Sequence, residues 1–402
     1  MFKTKVKLAP IPSHVPKDLV FDFDIFEAPH DGDIQKKYMK LQSEAPDIFY
    51  TPRNGGQWVS TRFAECQTIM RTPEIFSSQR AFFRPDMAKV KISLPPQDMD
   101  APDHIKHRLL AMKFLSPRKV QEMDNNIRKL MVELIDDVVD KNGCEFMAAV
   151  SVPLPVKTFM TMMGMDLSRY TQFVKWANGI LGSETILQRL PHFIRMTFYL
   201  KSLIRKRKKQ PGNDPVSLLL ASEVDGQPLT DKRVLEICNL LFLAGLDTVT
   251  NAMTFITKHL AEHPEQQQYL RENPDKIPVA IEEMMRRYTF VNIPRRVTKD
   301  TEIAGVSLRA EDIIISAFAA ASNDPRSVDD PNTVDFNREK SPHLAFNTGP
   351  HSCAGVSLAR MELRVYLEEW LARVPPFRLA DGYEPTARCG PVMALESLQL
   401  SW

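Results

Sequence analysis

Residues 231–262 limit the possible folds of this chain more than any other stretch. They contain no proline and follow a threonine suited to cap a helix N-terminus, with Asp231 favouring the first turn. His263-Pro264 ends the run, because the residue before a proline is pushed out of the helical region. At 1.5 Å per residue the helix would be roughly 48 Å long. Its middle, 240–246, is apolar on all sides, so the helix is expected to run through a core rather than lie on one.

The surrounding pattern from about 103 to 260 is also mostly helical. In 120–139, Val120, Met123, Ile127, Met131, Leu134, Ile135 and Val138 recur at helical spacing, which predicts one helix. The first hundred residues are mixed. Residues 57–60 read as a strand and 61–71 as a helix, while Pro85, Pro95 and Pro96 break up 82–99. Residues 295–317 change character: Ile303-Ala304-Gly305-Val306 predicts a tight turn between short strands, and Ile313-Ile314-Ile315 is β-branched. A loop rich in Pro, Asp and Asn spans 324–343, and a last helix follows Cys353 to about 373. Neither a repeat nor a Gly/Ser linker divides the chain. The expectation is therefore one mainly α domain over 1–402, a helical body with a smaller β-rich region drawn from about 48–62, 295–317 and 376–402.

A net charge of +2 gives no field that argues for nucleic acid, and no window reaches about 18 consecutive apolar residues. The N-terminus lacks the apolar stretch of a signal peptide, so a cytoplasmic protein with neither membrane nor nucleic acid as partner is expected. The basic run 205–209, before Pro211-Gly212, reads as a solvated helix end rather than a targeting or nucleic-acid signal. Five scattered cysteines form no C-x-x-C pair, which argues against a disulfide framework and a structural zinc site. Cys66, Cys144, Cys238 and Cys389 read as small hydrophobes.

Cys353 differs from the other four. In Phe346-Asn347-Thr348-Gly349-Pro350-His351-Ser352-Cys353-Ala354-Gly355 it lies in a loop with two glycines, just before a helix. A thiolate there is stabilised by the helix dipole and free backbone N–H groups. On its own this marks an activated cysteine, either a metal ligand or a nucleophile. Two other stretches also carry chemistry. Glu283 and Arg286 share a helical face at i, i+3 behind Pro278, which on its own fits a surface ion pair worth about 0–1 kcal/mol. Ala244-Gly245-Leu246-Asp247-Thr248 sets an acid and a hydroxyl within an apolar helix. Such groups are costly unless satisfied or used, and Thr248 can bond back to the carbonyl of Ala244 or Gly245. The pair could also merely kink a buried helix.

Together these stretches resemble the cytochromes P450. The cysteine loop is similar to F-G-x-G-x-H-x-C-x-G, matching at Phe346, Gly349, His351, Cys353 and Gly355, with Asn347 in place of a glycine and so a less permissive first turn. The resemblance covers essentially the whole chain. It is strongest over about 212–402 and closest to the bacterial class I camphor hydroxylase group, where 244–248 and 335–338 match best. It implies the P450 fold and a haem b whose iron takes Cys353 as axial ligand. Glu283, Arg286 and Arg338 would form a network holding the cysteine loop. Ala244 and Gly245 would leave an oxygen groove, where Thr248 orders water and Asp247 relays protons. His104, Arg108, His351 and Arg295 would meet the haem propionates, the choice between Arg295 and adjoining Arg296 being open.

The same resemblance implies a monooxygenase that hydroxylates a small apolar substrate with O2. Its electrons would come from a two-iron ferredoxin and a flavin-dependent ferredoxin reductase, the ferredoxin docking near Cys353 with Arg108 and Arg360 as contacts. Phe83, Ile92, Leu240, Leu243, Val291 and Val392 would line the pocket, with 82–99 and 182–195 as a movable lid. Ile92 stands where camphor hydroxylase has a tyrosine that binds the substrate ketone, so camphor itself is not expected. A terpenoid is, either a monoterpene or a norisoprenoid. The alternatives are hydroxylation or demethylation of a substituted aromatic, or a haem-thiolate protein that is not a monooxygenase, such as a peroxygenase, a rearrangement catalyst or a sensor. A cysteine-nucleophile hydrolase is a further rival.

Overall fold

A computed structural model describes residues 8–29, 32–85, 87, 93–181 and 186–402. Its axis is the core helix Asp231–Glu262, with the bounds the sequence predicts. Thr230 Oγ1 accepts the N–H of Arg233 at 3.2 Å, and His263 leaves the helical region at φ −130°, ψ 74°. The N-terminal half packs Val234, Ile237 and Phe242 against Phe173, Met196 and Leu200, and the C-terminal half packs Met253, Ile256 and Leu260 near Tyr366 and Trp370. The helix is long and apolar enough to cross a membrane by composition alone, yet 61% of its apolar window is buried within the fold.

The helix runs through the core, as expected: Phe242 and Leu246 in its middle are buried, Leu240, Leu243 and Gly245 are half-buried, and Ala244 is exposed. One expectation needs correction here. The single helix expected over 120–139 is two, Pro117–Gln121 and Asp124–Asp136. Asp124, Asn125 and Asn126 have short polar side chains that compete with helical backbone bonds, so the chain restarts there although the apolar spacing runs on. Val120, Ile127, Met131, Leu134 and Ile135 still face the core.

The main sheet has five strands in the order Ile48–Thr51, Gln57–Ser60, Ile313–Ala317, Asn292–Val297, Phe76–Ser77. Only the pairing of Gln57–Ser60 with Ile313–Ala317 is parallel. Ala304 (φ 50°) and Gly305 (φ 78°) make the tight turn joining Thr301–Ile303 to Val306–Leu308, the positive φ pair that a two-residue hairpin needs. Near the C-terminus, Gln399–Ser401 pairs with Arg378–Leu379 and with Gly143–Glu145, a strand too short to signal itself in sequence. Gly143 (φ 151°) belongs there because a Cβ would come within 2.5 Å of the Leu400 carbonyl oxygen. A separate ribbon pairs Ala387–Arg388 with Ala394–Leu395.

Candidate functional site

The helix Val356–Arg373 begins just after Cys353, as expected. Ahead of it the loop is pinned at Gly349 (φ 71°), where a Cβ would sit 2.6 Å from the carbonyl oxygen of Met70. Asn347 adopts φ 58°, the left-handed region that asparagine tolerates better than other non-glycine residues. Its Oδ1 accepts the N–H of Thr348 at 2.7 Å and its Nδ2 donates to the His351 carbonyl at 3.1 Å. The expected loss of freedom at this turn is thus corrected: asparagine makes the turn and adds two bonds that a glycine could not. The Cys353 N–H donates to the Phe346 carbonyl at 2.7 Å, closing the loop.

Cys353 is exposed by area yet closely surrounded, as a group lining an internal cleft would be. Burial pushes its thiol up, and the Gly355 N–H and the charges of Arg108 and Arg360 work against that. Burial also pushes the Cys66, Cys144 and Cys238 thiols up, each to about 12, and Cys389 to about 11. Ala354, beside Cys353, and Leu241, on the core helix, pack against the same small cluster of Ala111, Phe114 and Leu115. The cysteine loop and the middle of the core helix therefore meet in one region.

Four cationic or imidazole side chains gather there from three elements. His104 and Arg108 stand on the helix Asp103–Leu115, Arg295 on the strand Asn292–Val297, and His351 on the cysteine loop. The His104 and His351 rings lie 3.9 Å apart by centroid. Ser78 Oγ and His351 Nε2 are 3.1 Å apart, and Arg108 donates to Ser352 Oγ at 3.2 Å. Sheet register turns the two arginines to opposite faces. Arg295 is opposite Ile314 and buried, whereas Arg296, opposite Ile313, turns to the other face and donates to Gln79 O and Glu311. Burial, with Arg295, His104 and Arg108 adding repulsion, pushes His351 down to about 3. Burial also lowers His104, Arg108 and Arg295, the last to about 10. Asp100, bonded to Ser77 and to the Ser78 N–H, is the carboxylate whose charge opposes this at His104 and Arg295.

The Glu283–Arg286 pair is fully buried, not a surface pair. Arg286 donates Nε and Nη2 to the two carboxylate oxygens at 2.9 and 2.8 Å, and Arg338 Nε adds a third bond at 3.1 Å. Ser341 Oγ and the Asp335 N–H complete the carboxylate's partners. Arg286 is tied in turn to Asn323 and to the carbonyls of Pro331 and Thr333. Burial works to raise the Glu283 carboxyl, but Arg286 and the other donors hold it below its ordinary value. The network clamps 323–341 to the helix Ile277–Arg287, shortly before the cysteine loop. Ser341 and Asn323 lie too far from Glu283 in sequence to suggest membership.

On the core helix Thr248 Oγ1 bonds back to the Ala244 carbonyl at 3.0 Å, one of the two acceptors the sequence allows. Asp247 has a partner that sequence reasoning missed: Arg388, on the C-terminal ribbon, comes within 3.6 Å of Oδ2. That is a charge contact rather than a hydrogen bond, and Oδ2 has no hydrogen-bond partner among the described residues. Burial pushes the Asp247 carboxyl up, and Arg388 and Asn251 oppose it.

Of the six pocket residues, Ile92 lies outside the described residues, as do parts of both expected lid segments. Leu240 and Leu243 are half-buried on the core helix, and Val291 and Val392 bridge each other antiparallel. Phe83 sits in the main core at 7% exposure and offers the pocket little surface. Neither arginine named as a docking contact is simply displayed. Arg108 turns inward, and Arg360 forms a two-pronged pair with Glu282 while lying 5.1 Å over the Phe346 ring.

These residues fit a haem. Its iron needs a sulfur ligand, and Cys353 offers a thiol whose deprotonated form the Gly355 N–H and the charges of Arg108 and Arg360 favour against burial. Its two carboxylates need donors, and the cluster supplies them: His104 Nε2 is buried with no partner among the described residues, and Arg108 and Arg295 bring positive charge to the same place.

The family model described as cytochrome P450 matches residues 193–374. The "Probable cytochrome P450 127A1" of Sinorhizobium fredii is 32% identical over 410 positions, covering 100% of this chain and 99% of that protein. The "Steroid C26-monooxygenase" of Mycolicibacterium smegmatis is also 32% identical, covering 87% of this chain and 88% of its own. Among solved structures, cytochrome P450 CYP101C1 superposes with a TM-score of 0.91 at 32% identity, covering 98% of this chain and 100% of that one.

Proposed function

This chain belongs to the cytochrome P450 family and is a haem b-dependent monooxygenase, and from that premise we propose that it hydroxylates a small terpenoid with electrons from a ferredoxin. In our reading Cys353 is the axial ligand, His104, Arg108, Arg295 and His351 receive the propionates, and Glu283, Arg286 and Arg338 hold the loop. When bound, the haem supplies oxygen activation and insertion into a C–H bond.

The other steps fall to the protein's own side chains. The Thr248 hydroxyl donates to the Ala244 carbonyl, which keeps its oxygen free to accept from a water beside the exposed Ala244. Gly245, expected to share in that groove, instead faces the Phe159 ring, where a Cβ would come within 3.0 Å. Asp247, turned toward Arg388, is placed to take a proton from outside the groove and pass it inward. Leu240, Leu243, Val291 and Val392 offer only apolar surface, which favours a compact hydrocarbon skeleton and excludes water. Ferredoxin as donor draws support from the CYP101C1 likeness.

One observation carries the reading. The cysteine loop meets the middle of the core helix, the helix that carries the acid–alcohol pair, and four convergent cationic or imidazole groups stand on that loop and beside it. A hydrolase needs no such cluster, and a sensor or carrier needs no acid–alcohol pair. A spectral titration tests the substrate class. The ferric protein is titrated with cineole, an ionone, camphor, a para-substituted benzoate and a steroid, and turnover is then measured with ferredoxin and reductase. A shift to high spin and a hydroxylated product with a terpenoid are expected. A shift and turnover only with the benzoate would transfer the proposal to substituted aromatics. Thr248→Ala should continue to consume oxygen but release it as peroxide, and unchanged coupling in that variant would remove Thr248 from the scheme.

A further inference from the structure

The helix Ile186–Lys209 has a face that the proposed function does not use. Its inner side packs Met196, Leu200, Leu203 and Ile204 against Phe173, Trp176 and the core helix. On the opposite side Leu187, Leu190, Ile194 and Phe198 are 82, 44, 42 and 64% exposed. Their spacing of three and four residues puts them on one stripe. The stripe continues along the same face as Lys201, Arg205 and Lys209, all exposed, with Arg195 and Lys206 exposed on its flank. Lys201 Nζ lies 5.9 Å from the centre of the Phe198 ring, where apolar and basic halves meet. The helix carries eight lysines and arginines and no acid. Arg207 and Lys208 are engaged by Asp214 and Asp231.

We propose that this face is a docking surface for an anionic lipid bilayer, with Leu187, Leu190, Ile194 and Phe198 dipping into the interface and Lys201, Arg205 and Lys209 meeting lipid phosphates. A helix with an apolar stripe, flanking cations and no acid suits the plane between headgroups and acyl chains. A second copy of the chain fits less well. Four side chains are far fewer than the roughly 20–30 residues that each partner in a stable protein pair brings, and no acid on the helix answers its partner's cations. The basic run 205–209 thereby gains a role beyond a solvated helix end. The expectation of no membrane partner rested on the want of a spanning segment, and a helix lying on a surface needs none. An enzyme with an apolar substrate would stand at the phase in which that substrate dissolves. This consequence rests on the substrate class proposed above, but the docking itself does not.

The test is co-sedimentation of the haem-loaded protein with vesicles of phosphatidylcholine alone and of phosphatidylcholine mixed with phosphatidylglycerol, at low and high salt. The wild type should pellet with the mixed vesicles, not with phosphatidylcholine alone, and should be released by salt. Arg205→Gln with Lys209→Gln should weaken binding about 25-fold, at about fivefold per cation near the surface. Leu190→Ser with Phe198→Ser should weaken it at least about tenfold. All four positions are exposed, so the carbon monoxide difference spectrum and melting temperature of both variants should match the wild type. No pelleting of the wild type with the mixed vesicles, or equal pelleting of wild type and variants, overturns the proposal. So does a dimer in sedimentation velocity that the Leu190/Phe198 pair abolishes while lipid binding is absent; that result assigns the stripe to self-association.

Discussion

At the scale of single residues, Asp247 depends most on one neighbour. Burial favours its protonated form, and Arg388, 3.6 Å away, favours the ionised one. Arg388→Gln removes the charge that holds the carboxyl down, so Asp247 should keep its proton to higher pH. If Asp247 relays protons, the acid limb of product formed per oxygen consumed moves to higher pH in that variant, and Arg388→Lys largely restores it. An unmoved limb would disconnect the pair from turnover. Glu362 is a second buried acid with a different consequence. It is fully enclosed, its Oε1 lacks a partner among the described residues, and burial pushes it up to about 8 from an ordinary value of 4.5. A folded-state value above the unfolded one means that stability is fully present below about 4.5 and is lost as pH rises through about 8. Glu362→Gln cannot ionise. It should melt near the wild type at about pH 5 and above it at about pH 9, by a margin of a few kcal/mol. Equal margins at both values would mean that Glu362 is not protonated in the folded protein.

At the scale of elements, the Glu283 network joins one helix to a loop with no regular structure of its own. Glu283→Ala leaves Arg286 buried without a counter-charge, which costs about 3–5 kcal/mol. The loss falls on 323–341 and on the cysteine loop beyond it. The variant should melt lower and retain little haem, as absorbance per protein would show, while Arg286→Lys, lacking the planar fork, should fall between. Full haem retention in Glu283→Ala would separate the network from the loop. How much of this was legible in the sequence follows from the range of each signal. The core helix announced both ends because Thr230 and His263-Pro264 act within a turn of where they stand. The break before Asp124 did not announce itself, since an apolar spacing that survives a two-residue interruption looks continuous. Glu283, Arg286 and Arg338 could be named only through their resemblance to a known pattern. Ser341, Asn323 and Arg388 could not, because nothing local in a serine or an arginine says which distant carboxylate it will meet.

At the scale of the whole molecule, the fold spends stability to prepare a site for an anion. A helix, a strand and a loop are packed so that His104, Arg108, Arg295 and His351 converge, although burial lowers the proton affinity of all four and the neighbouring cations lower it further at His104 and His351. Arg295 is the clearest case: it is 5% exposed, it donates Nη1 to the carbonyl of Pro294, and burial pushes it down to about 10. A buried charge without a full partner weakens the fold that holds it, whereas one that meets a carboxylate repays the desolvation. The same residue should therefore have opposite effects with and without the cofactor. Arg295→Gln should raise the melting temperature of the haem-free protein, by on the order of 1–3 kcal/mol of stability, because it removes a buried charge whose desolvation outweighs the opposing charge of Asp100. In the haem-loaded protein it should lower the melting temperature and speed haem loss to an excess of apomyoglobin, because a propionate loses its partner and the binding free energy it lent to the folded state. Calorimetry on both forms of both proteins separates this from a packing effect. A side chain needed only for packing would destabilise the two forms alike, and a cationic partner for haem would show opposite signs.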